Sequence, residues 1–129
     1  MASQFVVGVS LLFAMAPVWA DAQLNGNPDH GQQIYEARCG ACHSLDDNRV
    51  GPAHHGVYGR HAGRAKDYEY SKAVANSKVV WTETTLNKWL TDPEKFMPGQ
   101  KMGYSVPDAQ DRADVIAYLK KASVEPGPH

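Results

Sequence analysis

Between Asn27 and Lys121 the apolar positions gather in short clusters at spacings of three and four, separated by long polar, glycine-rich stretches. The first cluster follows Asn27-Pro28-Asp29: a capping side chain, a proline at the first helical position and an acid in the first turn. That helix carries Ile34 and Tyr35 and runs into Cys39. A short second helix is predicted around "YSKAVAN". In "TETTLNKWLTDP" the spacing puts Leu86, Trp89 and Leu90 on one face, and Pro93 blocks continuation. Before the last cluster, Ser105 and Asp108 resemble a capping box; Val115, Ile116 and Leu119 then fall together, and Lys120 and Lys121 close the helix favourably for its dipole. From Val50 to Gly63 four glycines and a proline break regular structure.

The pattern predicts an all-α domain of three to four helices and long loops, with no convincing strand pair. Those helices cover less than half of the chain beyond its first twenty residues. Side chains alone then leave the centre short of apolar material, and the loops are expected to wrap around something else.

Length allows one small domain: 129 residues, 43% of them apolar and 21% charged. The first twenty, "MASQFVVGVSLLFAMAPVWA", hold no charged group and an apolar run from Phe5 to Ala16, shorter than the roughly 20 residues a membrane-spanning helix needs. Small-residue logic places cleavage after Ala20, with Val18 three positions from the cut. Residues 1–20 are therefore read as a cleavable export signal lacking the usual positive start, with an uncleaved membrane anchor as the alternative, and 21–129 as the functional domain. Either way the domain works outside the cytoplasm. The formal charge of −1 belongs to those later residues, where acids and bases alternate without a basic block, so charge-driven nucleic-acid binding is excluded.

The chemistry concentrates in "CGACHSL", residues 39–45. Cys39 and Cys42 as a disulfide would close only a tiny, reactive ring. A thioredoxin-like dithiol needs a strand before its helix, and the predicted preceding helix denies it. Zinc needs four ligands, and His54, His55 and His61 could complete the set only from an irregular loop. The histidine directly after the second cysteine points elsewhere. Thiols one helical turn apart can reach two vinyl groups along one side of a haem, and His43 is then carried over the ring face, where its imidazole can bind iron. A covalent macrocycle would also fill the missing core.

On the opposite face a second ligand is needed, and past the leader only Met97 and Met102 offer a thioether. Both lie in "FMPGQKMGY", a glycine–proline loop between the last two helices. Met102 sits after the turn between Lys101 and Gly103 and is read as the ligand. Met97, between Phe96 and Pro98, is read as core packing.

Four segments, "GQQIYEARCGACHSL", "GPAHHGVYGR", "NKWLTDPEKFMPGQKM" and "DRADVIAYLKKA", resemble in order and spacing the signature segments of class I, mitochondrial-type cytochromes c and their soluble bacterial relatives, over about residues 28–122. The resemblance implies the small cytochrome c fold, one haem c covalent through Cys39 and Cys42, and His43 and Met102 as axial iron ligands. It implies that the Pro52 carbonyl accepts from His43, that Arg60, Tyr70 and Trp81 hold the haem propionates, and that Gly31 and Tyr35 face Val115 and Tyr118 where the first and last helices cross. Several positions depart from the family pattern. The stretch between His43 and Pro52 is shorter than in the vertebrate proteins. His54 stands for an apolar residue, Trp89 for a tyrosine, Val74 for an asparagine and Gln100 for a threonine. Arg38, Arg49 and Lys101 match the basic ring around the haem edge, whereas Glu94 replaces one of its basic positions.

The function implied is that of a soluble, monomeric periplasmic one-electron carrier, not an enzyme. Its transient partners would be a membrane cytochrome complex, a periplasmic dehydrogenase, or a terminal oxidase or reductase; membrane contact would come only through them. Two alternatives stand beside it: a ligand sensor or peroxidase if Met102 leaves the iron, and a tethered haem subunit of a larger redox enzyme if the leader is retained.

Overall fold

The computed structural model describes Met1 and residues 24–126, so the expected leader lies outside the described residues. Helix α1, Pro28–Ile34, begins where Asn27 accepts the backbone N–H groups of Asp29 (3.0 Å) and His30 (3.3 Å). It does not stop cleanly. Its last turn widens into a π segment, Tyr35–Cys39, whose wider ring closes when the Gly40 N–H donates to the Tyr35 carbonyl at 2.9 Å. The cysteine motif therefore ends the first helix, as the sequence suggests, through a π turn that periodicity does not announce.

Helix α2, Lys72–Ala75, is capped by Ser71. Helix α3, Glu83–Thr91, opens on a reciprocal box between Thr82 and Thr85 and buries Leu86 and Leu90. Asp92 is extended; it ends α3 and caps a further turn, α4, Pro93–Phe96, by accepting from Lys95 N at 3.0 Å. Pro93 thus stops one helix and starts the next. Helix α5, Ala109–Val124, is capped by Asp108, which accepts from Asp111 N at 2.9 Å. This corrects the box expected from Ser105 to Asp108. Pro107 pushes Val106 out of helical geometry, so the helix starts after the proline and Asp108 is the cap itself.

The frame is the crossing of α1 on α5. A Cβ at Gly31 would overlap the Asp114 carbonyl and lie 3.0 Å from the Tyr118 Cβ, so only glycine lets the two backbones meet this closely. Tyr35 packs beside it with its ring centroid 5.3 Å from that of Tyr118, and Val115 is 1% exposed. Asp114, also buried, accepts from Asn27 N (2.7 Å), His30 Nδ1 (2.7 Å) and Gln110 Nε2 (2.8 Å), tying the start of α1 to the last helix. Helix α3 joins this pair through Val106 N, which donates to Leu90 O at 2.7 Å, and Arg112 Nε, which donates to Asn87 at 2.8 Å. Ile34, Leu86, Leu90, Val106, Val115, Ile116 and Leu119 form one buried cluster. Each of the larger aliphatic side chains contributes roughly 1.5–3 kcal/mol when fully buried.

Among the described residues pairing is limited to one isolated antiparallel bridge, His61 with Val80. No helix there is long and apolar enough to cross a membrane. The long connections 40–71 and 97–108 are fixed by their own hydrogen bonds. Asn48 ties the first of them together, accepting from Ala53 N at 2.9 Å and donating to Lys66 O at 2.7 Å.

Candidate haem site

His43 emerges from the turn after the π segment, its N–H donating to Cys39 O at 2.8 Å while Cys42 N donates to the same carbonyl at 3.0 Å. The turn is held from outside by Arg49, whose guanidinium reaches Gly40 O at 2.7 Å, and by Gly51 N, which donates to Cys42 O at 2.8 Å. No disulfide joins Cys39 and Cys42. Burial pushes the Cys39 thiol up to about 11; nearby Arg38 pulls it down and Cys42 adds to the rise.

The His43 ring is fixed on three sides. Its Nδ1–H donates to the Pro52 carbonyl at 2.8 Å. A Cβ at Gly51 would overlap the imidazole, so glycine leaves the room the ring uses. His54 stacks on it, centroids 4.0 Å apart and planes 20° from parallel. Burial lowers the His43 pKa and the Pro52 bond partly restores it. The result is a neutral imidazole of fixed tautomer, whose Nε2 keeps its lone pair for a metal.

His54 is itself held. Its Nδ1 lies 2.9 Å from the Tyr35 hydroxyl, and burial, with His43 and Arg60 nearby, holds its pKa well below the usual histidine range. Tyr35 links this pair back to the α1–α5 crossing.

Arg60 is half-buried under the same loop. It donates to His55 O at 3.1 Å and Ala53 O at 3.4 Å, while its buried Nε has no partner. A guanidinium nitrogen so placed asks for an anion, and this orphaned donor is the observation that tests the fit of a carboxylate-bearing macrocycle. Nearby, the Tyr70 hydroxyl accepts from Ala65 N at 2.9 Å. Trp81 is buried with its ring 5.4 Å from that of Trp89. Met97 is buried in the core, and Met102 is half-buried against the same cluster.

A family model described as cytochrome c matches residues 28–123. The chain belongs to the cytochrome c family. It is 43% identical over 98 residues to cytochrome c of Euglena viridis, covering 74% of this chain and 96% of that protein. It is 45% identical over 98 residues to cytochrome c2 of Rhodopila globiformis, covering 74% and 92%. The solved structure of cytochrome cH from Methylobacterium extorquens superposes with a TM-score of 0.71 at 40% identity, covering 74% of this chain and 99% of that one. The chain is thus a haem-containing electron carrier with the small all-α cytochrome c fold, and it carries haem c covalent through Cys39 and Cys42 in the CxxCH spacing with His43.

Sequence reasoning missed three elements around this site. Gly51 was visible only as a loop glycine, although its place beside Pro52 and near His43 was a usable signal. Asn48 gave the short-range cue of an amide side chain five residues before its backbone partner. The third element is a pair: Glu94 accepts from Gly99 N (3.1 Å) and Gln100 Nε2 (3.1 Å), and Gln100 Oε1 accepts from Gly103 N (2.9 Å). Two of the three basic positions expected at the docking edge are engaged within the chain: Arg38 with Asp111 at 3.1 Å, and Arg49 with Gly40 O.

Proposed function

We propose that this chain is a soluble periplasmic one-electron carrier, exported by residues 1–20, in which His43 and Met102 would be the two protein ligands to the haem iron. When bound, haem c supplies an iron that gains and loses a single electron. The observation that carries the reading is the 2.8 Å bond from His43 Nδ1–H to Pro52 O. It leaves a neutral Nε2 in a ring that cannot turn, backed by Gly51 and His54.

Each remaining part follows from residue chemistry. Met102, a soft thioether on the loop after α4, favours the reduced iron relative to a second nitrogen ligand and raises the potential. Arg60 offers its unpartnered Nε, with Tyr70 and Trp81, to the two propionates. With His43 and Met102 as its ligands the iron would offer no free site to a substrate, and we read the chain as a carrier rather than an enzyme. The partners fitting this role are a membrane cytochrome complex or periplasmic dehydrogenase as donor and a terminal oxidase or reductase as acceptor, each met briefly by a monomer.

The test is a redox-titrated visible spectrum of protein purified from the periplasm, with its intact mass. Covalent haem on a chain beginning near Asp21, a methionine–ferric-iron band, and loss of that band in Met102→Ala are the expected results. A mass equal to the bare polypeptide, or an unchanged spectrum in Met102→Ala, overturns it.

A further inference from the structure

Two positions at which the sequence departs from the family pattern, Glu94 and Gln100, touch each other. Glu94, on α4, stands where a basic residue is usual, and Gln100 where a threonine is common. One Glu94 oxygen accepts from Gly99 N at 3.1 Å and the other from Gln100 Nε2 at 3.1 Å. The other end of the same Gln100 amide accepts from Gly103 N at 2.9 Å. Gln100 N also donates to Met97 O at 3.2 Å. The contacts therefore run from α4 to Gly99, through the Gln100 side chain, to Gly103, and Met102 lies inside the ring they close.

We infer that Glu94 and Gln100 form a side-chain clamp that positions the Met102 loop and sets how often the thioether leaves the iron. The inference rests on the reading of Met102 as the iron ligand. Without the clamp the loop has strong reasons to be loose. It turns on two glycines with positive φ, Gly99 at 89° and Gly103 at 60°, which hold no conformation by themselves. Met102 is only half-buried, so packing alone fixes it weakly. The base of the clamp is firm, because α4 is capped by Asp92 and hangs from the end of α3. A carboxylate acceptor and a bridging amide supply three directed bonds over ten residues, from 94 to 103. The same contacts give the acidic residue at 94 a role inside the molecule rather than at a docking edge.

The experiment uses the ferric holoprotein at one pH. Wild type, Glu94→Ala, Gln100→Ala and the double variant are compared by the rate of cyanide binding, the methionine–ferric-iron band as temperature rises, and global unfolding followed by far-UV circular dichroism. Each single variant is expected to bind cyanide about tenfold faster, the change produced by losing one or two net hydrogen bonds. It should lose the band well below the global unfolding temperature. The double variant should add little to either single, because the bonds form one network, and Glu94→Gln, which keeps an acceptor for Gly99 N–H, should fall between. Cyanide rates within twofold of wild type overturn the inference. So does band loss that merely follows global unfolding. A wild type that binds cyanide at once, with no effect of Met102→Ala, instead removes the ligand assignment and the clamp's function with it; a wild type showing the band beside unaffected clamp variants removes the clamp alone.

Discussion

The Tyr35 hydroxyl lies 2.9 Å from His54 Nδ1, and His54 lies flat on His43 with centroids 4.0 Å apart. The helix crossing that frames the fold is thereby connected to the His43 imidazole through one hydrogen bond and one ring stack. Tyr35→Phe removes the donor and leaves a sheltered ring nitrogen unsatisfied, an expected loss of about 1–2 kcal/mol. Adding His54→Leu should recover part of that loss, since replacing both polar partners leaves nothing unpaired. Denaturant midpoints of the two single variants and the double check it; equal losses in the Tyr35→Phe and double variants would refute it.

Acid should weaken this protein in two stages. Burial, with the neighbouring His43 and Arg60, holds the His54 pKa in the fold well below the ordinary histidine value of 6.5. An unfolded chain takes up that proton first, so stability is full above about pH 6.5 and falls by at most about 1.4 kcal/mol per pH unit below it. Asp114 adds the second stage. Burial raises its pKa, but the hydrogen bonds from Asn27, His30 and Gln110 outweigh burial and leave it below 3.8. Its contribution is complete above that value and disappears as pH drops further. Unfolding free energy measured from pH 8 to 3 should show a limb beginning near 6.5 that is shallower in His54→Leu, where only His43 remains to contribute.

Gly31→Ala should be among the most damaging single methyl additions. The new carbon would overlap the Asp114 carbonyl on α5, and the backbones of two packed helices must part to admit it. Overpacking of this kind costs about 1–3 kcal/mol. Thermal unfolding of the holoprotein measures it, and a loss below half the lower figure would mean that the crossing is looser than described.

Gly51→Ala acts on the site rather than the frame. Its methyl would enter the space of the His43 ring. The expected outcome is a shifted reduction potential and altered haem bands, while far-UV circular dichroism stays near wild type. Unchanged bands and potential would show that the ring has room to yield.

Docking should respond weakly to salt. Arg38 is paired with Asp111, Arg49 is spent on Gly40 O, and Glu94 is turned into its own loop. Arg38→Ala should change the oxidation rate by a candidate partner less than twofold at low ionic strength, and that rate should vary little with salt for the wild type. A steep fall with salt would restore steering by charge.

Much of this was readable in the chain. Helices α1, α3 and α5 follow from apolar spacing, and the start of α1 from Asn27; the Thr82 cap of α3 goes unread, and the pattern puts the cap of α5 at Ser105 instead of Asp108, where Pro107 outranks it. Cys39, Cys42 and His43 point to their chemistry by their spacing together with the export signal and the lack of any other cysteine. What could not be read depends on contacts between distant or irregular segments. The π turn carries no periodic signature, and the value of Gly51 lies in a ring eight residues away. The clamp has the same character. Glu94 looked like surface charge and Gln100 like a lost hydroxyl, and only folding the loop on itself makes them partners.

Arg60 carries a sheltered nitrogen that no atom of the described residues satisfies. A sheltered cationic donor of this kind favours an anionic guest, so on the proposed reading the haem propionates would add to the stability of the fold as well as hold the haem.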